Sequence, residues 1–479
     1  MSLKRKALSG IFWTFVQQFS VQGVGFLVSI ILARLLMPKE FGLIAMISVF
    51  ISLGNIFINS GMSQSLMRTQ DLDDDDYSSV FYFNLFISII IYLIVFFLAP
   101  HISDFYKQEI LTYIIRVYSI TFFINALSII QITKLTKQLK FKLQTFISVP
   151  STLLSSFIGV YMAYNGYGIW SLVFSTLSQS FISTILLWYF GKWTPCLSIK
   201  YEKIKKHWNF GYKLLFSGLL DTIFNNIFSI IVGRFFAISQ VGYYQRAETL
   251  KQFPVSNIIL ILDKVTYPLL ASIQDEDQRL KLVYSRILQM VIFIVAPMLI
   301  FSAVLAEPIF RFLFTDKWLP AVPYFQVLCV NGILYPVHAY NLNILSVKGR
   351  SDLFLKLEII KTIILTLIII ISLQWGIYGL LFGGIISSIL AFFVNTYYTN
   401  KLIAYSAIDQ IKDLFPIILL AAVIGFIISI IDHSHIWFLN QDIIRILFGL
   451  TFGVLMFLIF AFLLKFKSLN EFNQIIIKK

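Results

Sequence analysis

The chain has 479 residues, of which 58% are hydrophobic and 13% are charged, and its formal net charge is +14 at pH 7. Soluble globular proteins are about 45–50% apolar and about 25% charged, so this composition excludes an ordinary water-soluble multidomain enzyme. The apolar runs have helical length, as in 88–100 and 359–371, and lack the alternation of an outer-membrane β-barrel. We therefore predict an all-α polytopic membrane protein.

About fourteen segments are predicted to cross the membrane. They lie near 9–33, 41–66, 78–100, 110–131, 145–165, 168–190, 210–236, 243–271, 283–306, 321–346, 354–373, 377–400, 413–431 and 442–464. Fourteen helices of about 23 residues use about 320 residues, which leaves too few for a sizeable soluble domain. The first segment follows Lys4, Arg5 and Lys6 and is too long for a signal-peptide core, so we expect it to stay uncleaved.

The basic residues set the expected orientation. With the amino terminus inside, the inner segments hold 26 lysines and arginines and the outer segments hold 5. Because basic loops stay on the cytoplasmic side, both termini are expected in the cytoplasm. The same rule accounts for the positive net charge without a nucleic-acid partner.

The sequence gives no sign of a metal site. Cys196 and Cys329 form neither a disulfide framework nor a ligand pair. The acidic run of Asp71 and 73–76 lacks the glycine turn and the downstream glutamate of a calcium loop. We interpret it as a solvated inner loop without a role.

A short motif recurs at an offset of 200 residues. The segment 29–34 (SIILAR), followed by Gly42, returns as 229–234 (SIIVGR), followed by Gly242. Six predicted helices separate the copies, so both have the same orientation, which indicates a parallel repeat. The expected parts are a six-helix lobe over 1–200, a second six-helix lobe over 201–400, and two further helices with a cytoplasmic tail over 401–479. Two lobes around a central cleft are typical of alternating-access carriers.

Polar residues recur at helical spacing along several predicted helices, which places them on one face. These stripes are Thr14, Gln18, Gln22, Gly25 and Ser29; Ser48, Ser52, Asn55 and Asn59; Ser217, Asp221 and Asn225; and Asn331, Tyr335, His338 and Asn341. In hydrocarbon such groups need partners, so the stripes face protein or water. Interhelical hydrogen bonding and a hydrated cavity both stay open, and the stripes on the first, second and seventh helices together favour the cavity.

Charged residues inside the predicted helices are costly, because a charge at the centre of a spanning helix costs about 2.5–3.5 kcal/mol. They are Arg116, Arg234, Arg246, Lys251, Lys264 and Lys361, with Asp221, Glu248, Asp263 and Glu358. Their spacing of three residues predicts neutralising ion pairs of Glu248 with Lys251 and of Glu358 with Lys361.

One predicted helix carries a basic and amide stripe. Arg246 and Lys264 are 18 residues apart, which is five full turns, and Asn257 lies close to the same line. Surplus positive charge selects an anion, and phosphate oxygens suit arginine and lysine. For Arg246 and Arg34, which lie near helix ends, a second interpretation stays open, in which the side chains reach toward lipid head groups.

No catalytic motif is present. The chain lacks the Gly-x-x-x-x-Gly-Lys-Ser/Thr loop for ATP, the His-Glu-x-x-His pair and the Gly-x-Ser-x-Gly elbow. We therefore expect a protein that is not an enzyme and that uses no cofactor or metal. Its energy would come from an ion gradient, the membrane potential or consumption of the product.

Several local motifs resemble those of bacterial polysaccharide-biosynthesis flippases. They are 33–42 (ARLLMPKEFG) after a helix that starts with 10–13 (GIFW), 60–66 (SGMSQSL), 243–248 (YYQRAE), Phe253-Pro254 and 267–270 (YPLL). The resemblance extends over the whole chain in helix number and loop lengths. This family shares a superfamily with multidrug and toxin extruders and lipid II flippases.

The resemblance implies a substrate and its partners. The substrate would be an undecaprenyl-diphosphate-linked oligosaccharide repeat unit, moved from the cytoplasmic to the periplasmic leaflet of a bacterial inner membrane. The product would feed O-antigen, capsule or exopolysaccharide assembly, with a glycan polymerase and glycosyltransferases as protein partners and membrane lipids as the surroundings.

The residue patterns and the resemblance together give candidate site residues. The candidates for substrate binding are Gln18, Gln22, Arg34, Asn55, Asn59, Arg116, Arg234, Arg246, Lys251, Asn257 and Lys264. Their cations would contact the diphosphate, and their amides would contact sugar hydroxyls. Asp221, which has no predicted partner, and His338 are the candidates for binding a coupling cation or proton.

Two other classes of protein stay in consideration. A multidrug extruder of the same fold would export cations and should concentrate carboxylates in its cleft, whereas the first six predicted helices hold no interior Asp or Glu. A membrane-embedded glycan polymerase or ligase usually has a long periplasmic loop, whereas the longest loop here, about 190–210, is predicted to be cytoplasmic.

Overall fold

A computed structural model shows how these segments fold. It describes residues 3–434 and 441–466. These residues form seventeen α-helices and two short 3-10 helices, and no β-strand occurs among them. The predicted all-α class is confirmed.

The helices follow one another with short connections. They are α1 (Leu3–Leu35), α2 (Pro38–Asn59), α3 (Met62–Arg68), α4 (Asp74–Tyr106), α5 (Ile110–Tyr118), α6 (Ile120–Lys137), α7 (Phe141–Tyr164), α8 (Ile169–Gly191), α9 (Tyr201–Phe235), α10 (Ile238–Ser272), α11 (Asp277–Val304), α12 (Ala306–Phe314), α13 (Val322–Val347), α14 (Ser351–Ser372), α15 (Gly376–Ile403), α16 (Ala407–His433) and α17 (Asp442–Leu463). The 3-10 helices are Asp316–Ala321 and Leu373–Trp375.

Each predicted segment coincides largely with helix. Among the described residues, nine helical segments are long and apolar enough to cross a membrane, with α5 and α6 counted as one. The chain is therefore a multi-pass membrane protein, and the number fourteen stays a prediction. The predicted second segment, 41–66, is wrong at its end, because Ser60 and Gly61 have φ angles of 44° and 67°, which a right-handed helix cannot continue.

The chain divides into two compact units, Met1–Gly242 and Tyr243–Lys479. In the first unit, α7 packs against α1 and α8, and α4 packs against α6 and α9. A buried apolar cluster that includes Met62, Phe81 and Trp193 joins α3, α4 and the segment after α8. The lobe boundaries at residues 200 and 400 stay a prediction.

In the second unit, α11 packs against α13 and α16, and α13 packs against α15. Asn341, only 1% exposed, lies at the centre of a polar network there. Its side-chain oxygen accepts hydrogen bonds from Gln410 Nε2 at 3.0 Å and from Thr399 Oγ1 at 2.7 Å. At Asn341 the structure thus shows interhelical hydrogen bonding, one of the two interpretations of its polar stripe.

The repeated motif leads into two helices that begin at equivalent positions, since α2 begins at Pro38 and α10 at Ile238. The two starts contact each other reciprocally. A Cβ atom on Gly42 would overlap the carbonyl oxygen of Ile238, and one on Gly242 would overlap that of Pro38. The two backbones therefore cross where only glycine fits.

A larger residue at either glycine should push the two backbones apart where they cross. We expect the Gly42→Ala and Gly242→Ala variants to lose roughly 1–3 kcal/mol of stability, the usual cost of overpacking, measured by thermal unfolding in detergent. Gly23→Ala is the matched control, because nothing lies within 4 Å of its added Cβ and alanine favours a helix. Equal melting temperatures for Gly42→Ala and Gly23→Ala would contradict the crossing.

The acidic run at the start of α4 is not a solvated loop without a role, so that interpretation is wrong. Asp76 is fully buried, and its carboxylate lies 2.8 Å from Lys203 Nζ and 3.0 Å from His207 Nε2. On the other side of the ring, His207 Nδ1 lies 2.8 Å from Ser65 Oγ. Because a buried carboxylate persists only when it is paired, this cluster fixes α9 to α3 and α4.

Burial makes the contribution of His207 to the stability of the fold depend on pH. Desolvation lowers the pKa of His207, and the nearby charges of Lys206 and Lys203 act in the same direction, whereas Asp76 opposes them. An unfolded histidine titrates near pH 6.5, and the folded chain takes up this proton only at lower pH. The contribution of His207 to stability is therefore complete above about pH 6.5 and falls as the pH decreases below it.

The melting temperature should report this titration. Between about pH 7.5 and 5.5 we expect it to fall more for the wild type than for His207→Asn, because the unfolding free energy of the wild type falls by up to about 1.4 kcal/mol more per pH unit. The asparagine amide keeps a donor toward Asp76. His101→Asn, at an exposed position of α4, should behave like the wild type. The same fall in His207→Asn as in the wild type would assign the effect to another group.

Candidate functional site

A polar cavity of about 470 Å³ opens on the first unit, where residues of α1, α6, α7 and α8 line it. Its lining residues are Thr14, Gln17, Gln18, Val21, Gln22, Asn125, Ser128, Ile132, Ser148, Ser151, Thr152, Gln179, Ser180 and Ser183. Twelve of these fourteen carry an amide or a hydroxyl. The volume is usual for a small-molecule site, for which about 300–1,000 Å³ is typical, but the usual lining is predominantly apolar. We call this space the polar cavity.

Helical spacing directs these side chains into the polar cavity. On α1, Thr14, Gln18 and Gln22 follow one another at steps of four, and on α8 Gln179 and Ser183 are four apart. Residues at this spacing share one face of a helix. Gln18 and Gln22, two of the predicted binding residues, therefore lie on the cavity wall.

The α1 wall offers free amides. The side chains of Gln17, Gln18 and Gln22 make no hydrogen bond to another described residue. Each amide has two donor hydrogens and an oxygen with two lone pairs. This wall can therefore bind a ligand that needs both donors and acceptors.

The α6 and α7 walls offer mainly acceptors. On α7 the hydroxyl of Ser151 donates to the carbonyl oxygen of Ile147 at 2.7 Å, and that of Thr152 donates to the carbonyl oxygen of Ser148 at 2.9 Å. On α6 the hydroxyl of Ser128 donates to the carbonyl oxygen of Asn125 at 2.9 Å. A hydroxyl has one hydrogen to donate. Once it is used on the hydroxyl's own helix, the lone pairs remain for the cavity.

Neighbouring amides hold the walls in place. Gln179 Nε2 donates to Thr152 Oγ1 at 3.1 Å and ties α8 to α7. Asn125 Nδ2 donates to Asn55 Oδ1 at 3.0 Å, so Asn55 lies behind the wall and orients Asn125. The side-chain oxygen of Asn59 is buried without a hydrogen bond to another described residue.

None of the described residues that line the polar cavity is charged. The predicted cations of the first unit lie in the last turns of helices. Arg116 donates to the carbonyl oxygen of Phe96 at 3.3 Å and lies 4.2 Å from that ring, and Arg234 similarly contacts the carbonyl and ring of Phe105. Arg34 is exposed. None of these three arginines lies in the cavity wall.

In the second unit, the predicted cation Arg246 lies beside aromatic rings. Arg246, only 5% exposed, lies 5.1 Å from the ring of Phe314 and 5.3 Å from that of Trp318. These distances are typical of cation–π contacts. The side chains of Asp221 and Lys264 lie outside the described residues.

Both predicted ion pairs within helices are confirmed. Lys251 Nζ lies 2.6 Å from Glu248 Oε1, and Lys361 Nζ lies 2.5 Å from Glu358 Oε1. Both lysines are thus neutralised by a carboxylate one turn away on their own helix.

The remaining candidates of the second unit have partners inside that unit. Asn257 donates to the carbonyl oxygen of Phe253 at 2.7 Å. His338 Nε2 lies 2.8 Å from Ser388 Oγ, and Nδ1 lies 3.3 Å from Asn395 Nδ2. Roles of these residues in substrate binding or ion coupling stay predictions.

Sequence analysis found the α1 wall of the polar cavity and missed the other three. Ser148, Ser151 and Thr152 have the spacing that singled out α1, and so do Gln179 and Ser183. Hydroxyls at this spacing can equally bond their own backbone. Only the packing of α1, α7 and α8 shows that these rows meet in one space.

The fold and the site define an all-helical, multi-pass membrane protein with an uncharged polar cavity among its first eight helices. Residues 31–323 match the model of the family described as polysaccharide biosynthesis protein, and the chain belongs to that family. It is 25% identical over 401 residues to the lipopolysaccharide biosynthesis protein WzxC of Escherichia coli (strain K12), which covers 82% of each chain.

Two solved structures share the fold. The lipid II flippase MurJ in an inward closed conformation matches with a TM-score of 0.75 and 17% identity, over 95% of this chain and 99% of that chain. An inward-facing multidrug resistance transporter of the MATE family matches with a TM-score of 0.62 and 15% identity, over 82% and 98%. At these identities the likeness concerns the fold alone.

Water access to the polar cavity can be measured. In a background that carries Cys196→Ser and Cys329→Ser, a Ser183→Cys variant should react with a small water-soluble methanethiosulfonate, because Ser183 lines the cavity. Ser171→Cys on the same helix is the control and should stay unlabelled, because Ser171 is fully buried. Absence of labelling at Ser183→Cys would show that the cavity is not hydrated, and equal labelling at Ser171→Cys would show that the reagent does not distinguish the cavity from the buried helix face.

Proposed function

We propose that the chain is a flippase that moves a lipid-linked oligosaccharide across a bacterial inner membrane, with the glycan bound in the polar cavity. The observation that carries this proposal is the concentration of twelve amide and hydroxyl side chains around that cavity, with no charged side chain among its described lining residues. Membership of the polysaccharide biosynthesis family and the similarity to WzxC support it.

The chemistry of the walls suits a glycan. Sugar hydroxyls each offer one donor and two lone pairs, and the free amides of α1 complement both. The hydroxyls of α6 and α7 add acceptors. A neutral polar lining avoids the cost of a buried unpaired charge when the cavity is empty, and water can satisfy it between transport cycles.

The identity of the substrate, the direction of transport and the roles of individual residues are proposed from the sequence analysis. We propose an undecaprenyl-diphosphate-linked repeat unit as the substrate, moved from the cytoplasmic to the periplasmic leaflet by alternating access, with both termini in the cytoplasm. Arg246 and Lys264 are proposed to contact the diphosphate, and Asp221 and His338 to bind a coupling cation or proton. A glycan polymerase and glycosyltransferases are the proposed protein partners.

The polar cavity favours this function over its rivals. An extruder of organic cations needs carboxylates at its binding site, and none of the residues that line this cavity is acidic. A polymerase or ligase needs a general base or a nucleophile, and neither a histidine nor a carboxylate is among the described residues that line the cavity.

Removing the α1 amides tests the proposal. A Gln18→Ala/Gln22→Ala variant should export surface polysaccharide at about one fifth of the wild-type rate or less, because two neutral hydrogen bonds are worth roughly 1–3 kcal/mol. The lipid-linked intermediate should accumulate in the membrane. Both quantities are measured by extraction at equal amounts of protein in the membrane.

The matched control is Gln138→Ala, which removes an exposed glutamine amide that is not in the cavity lining. It should export at the wild-type rate. Normal export by Gln18→Ala/Gln22→Ala would refute the glycan site. Loss of export without accumulation of a lipid-linked glycan would refute the flippase.

A further inference from the structure

A second cavity, of about 430 Å³, opens on the first unit where α7 begins and α8 ends. Its lining residues are Lys140, Lys142, Leu143, Phe146 and Phe190. We call it the lysine groove. The polar cavity shares none of these residues, so the groove is a separate site.

The walls of the lysine groove face outward. Phe146 is 58% exposed and Phe190 is 46% exposed. Both belong to helices apolar and long enough to span the membrane. Large exposed aromatic rings on such helices contact lipid. Phe146 lies in the second turn of α7 and Phe190 in the last turn of α8, so we expect the groove at the ends of two spans, where acyl chains meet head groups.

The two lysines lie at the head-group end of the lysine groove. Both are exposed, and neither forms an ion pair with another described residue. Lys142 Nζ lies 5.5 Å from the ring of Trp13 and 5.8 Å from that of Phe146. These aromatic faces hold the ammonium group beside the groove.

We propose that the lysine groove binds an anionic phospholipid of the surrounding membrane. The phosphate of the head group contacts Lys140 and Lys142, and an acyl chain lies against Leu143, Phe146 and Phe190. The charges are complementary, because two ammonium groups without a carboxylate partner meet a phosphate. The apolar walls complement the chain attached to that phosphate.

The composition of the lysine groove argues for a membrane lipid over the transported substrate. Among the described residues that line it, none carries an amide or a hydroxyl, so the groove lacks the side chains that the polar cavity offers to sugar hydroxyls. Basic pockets between membrane helices are typical sites for anionic head groups in the cytoplasmic leaflet. The proposed orientation places Lys140 and Lys142 in that leaflet.

Lipid binding can be measured on the full-length protein. Native mass spectrometry of protein released from nanodiscs of equal parts phosphatidylglycerol and phosphatidylcholine should show bound phosphatidylglycerol on the wild type. A Lys140→Gln/Lys142→Gln variant should bind it about 25-fold more weakly, since each lysine near a phosphate contributes about fivefold. Lys205→Gln/Lys213→Gln removes two exposed lysines of α9 outside the groove and should retain wild-type binding.

Three outcomes would overturn the proposal. Equal retention of phosphatidylglycerol by the groove variant and the control variant is one. A preference of the wild type for phosphatidylcholine is another. Displacement of phosphatidylglycerol by stoichiometric undecaprenyl phosphate would be the third, since it would assign the groove to the transport substrate. The measurement needs no transport, so it is independent of the proposed flippase activity.

Discussion

A polar group inside a bilayer has no bulk water to bond, so it must find a partner in the protein or in a hydrated cavity. The structure meets this requirement in three ways. Hydroxyls such as that of Ser151 bond the backbone of their own helix. Amides such as Asn341 bond other helices. The amides of Gln18 and Gln22 have neither partner among the described residues, and they lie where a cavity opens.

Charge and hydrogen-bonding capacity are separated in the first unit. Arg116 and Arg234 are partnered by carbonyl oxygens and aromatic rings of α4, whereas the polar cavity holds no charge among its described lining. An arginine in such a cavity would pay a desolvation penalty whenever no anion is bound. A neutral lining avoids this penalty.

The helices α7 and α8 take part in both cavities at different depths. On α8, Ser183 lines the polar cavity and Phe190 lines the lysine groove. Seven residues separate them, which is about 10 Å along a helix. One helix pair can therefore present hydroxyls to the polar cavity and, two turns further on, aromatic rings to lipid. The reason is that the side chains along these helices change from hydroxyls to large aromatic groups.

The sequence by itself determined the helical membrane class, the approximate helix positions and the ion pairs one turn apart. Hydrophobic length and helical spacing act within one segment, so they can be seen without the fold. It also identified the α1 stripe of the polar cavity. Only the tertiary structure decided that α6, α7 and α8 complete that cavity, that Asp76 is buried against His207, and that Arg116 and Arg234 are bound by α4. Each of these contacts joins segments distant in the chain, and no local pattern encodes which helices meet.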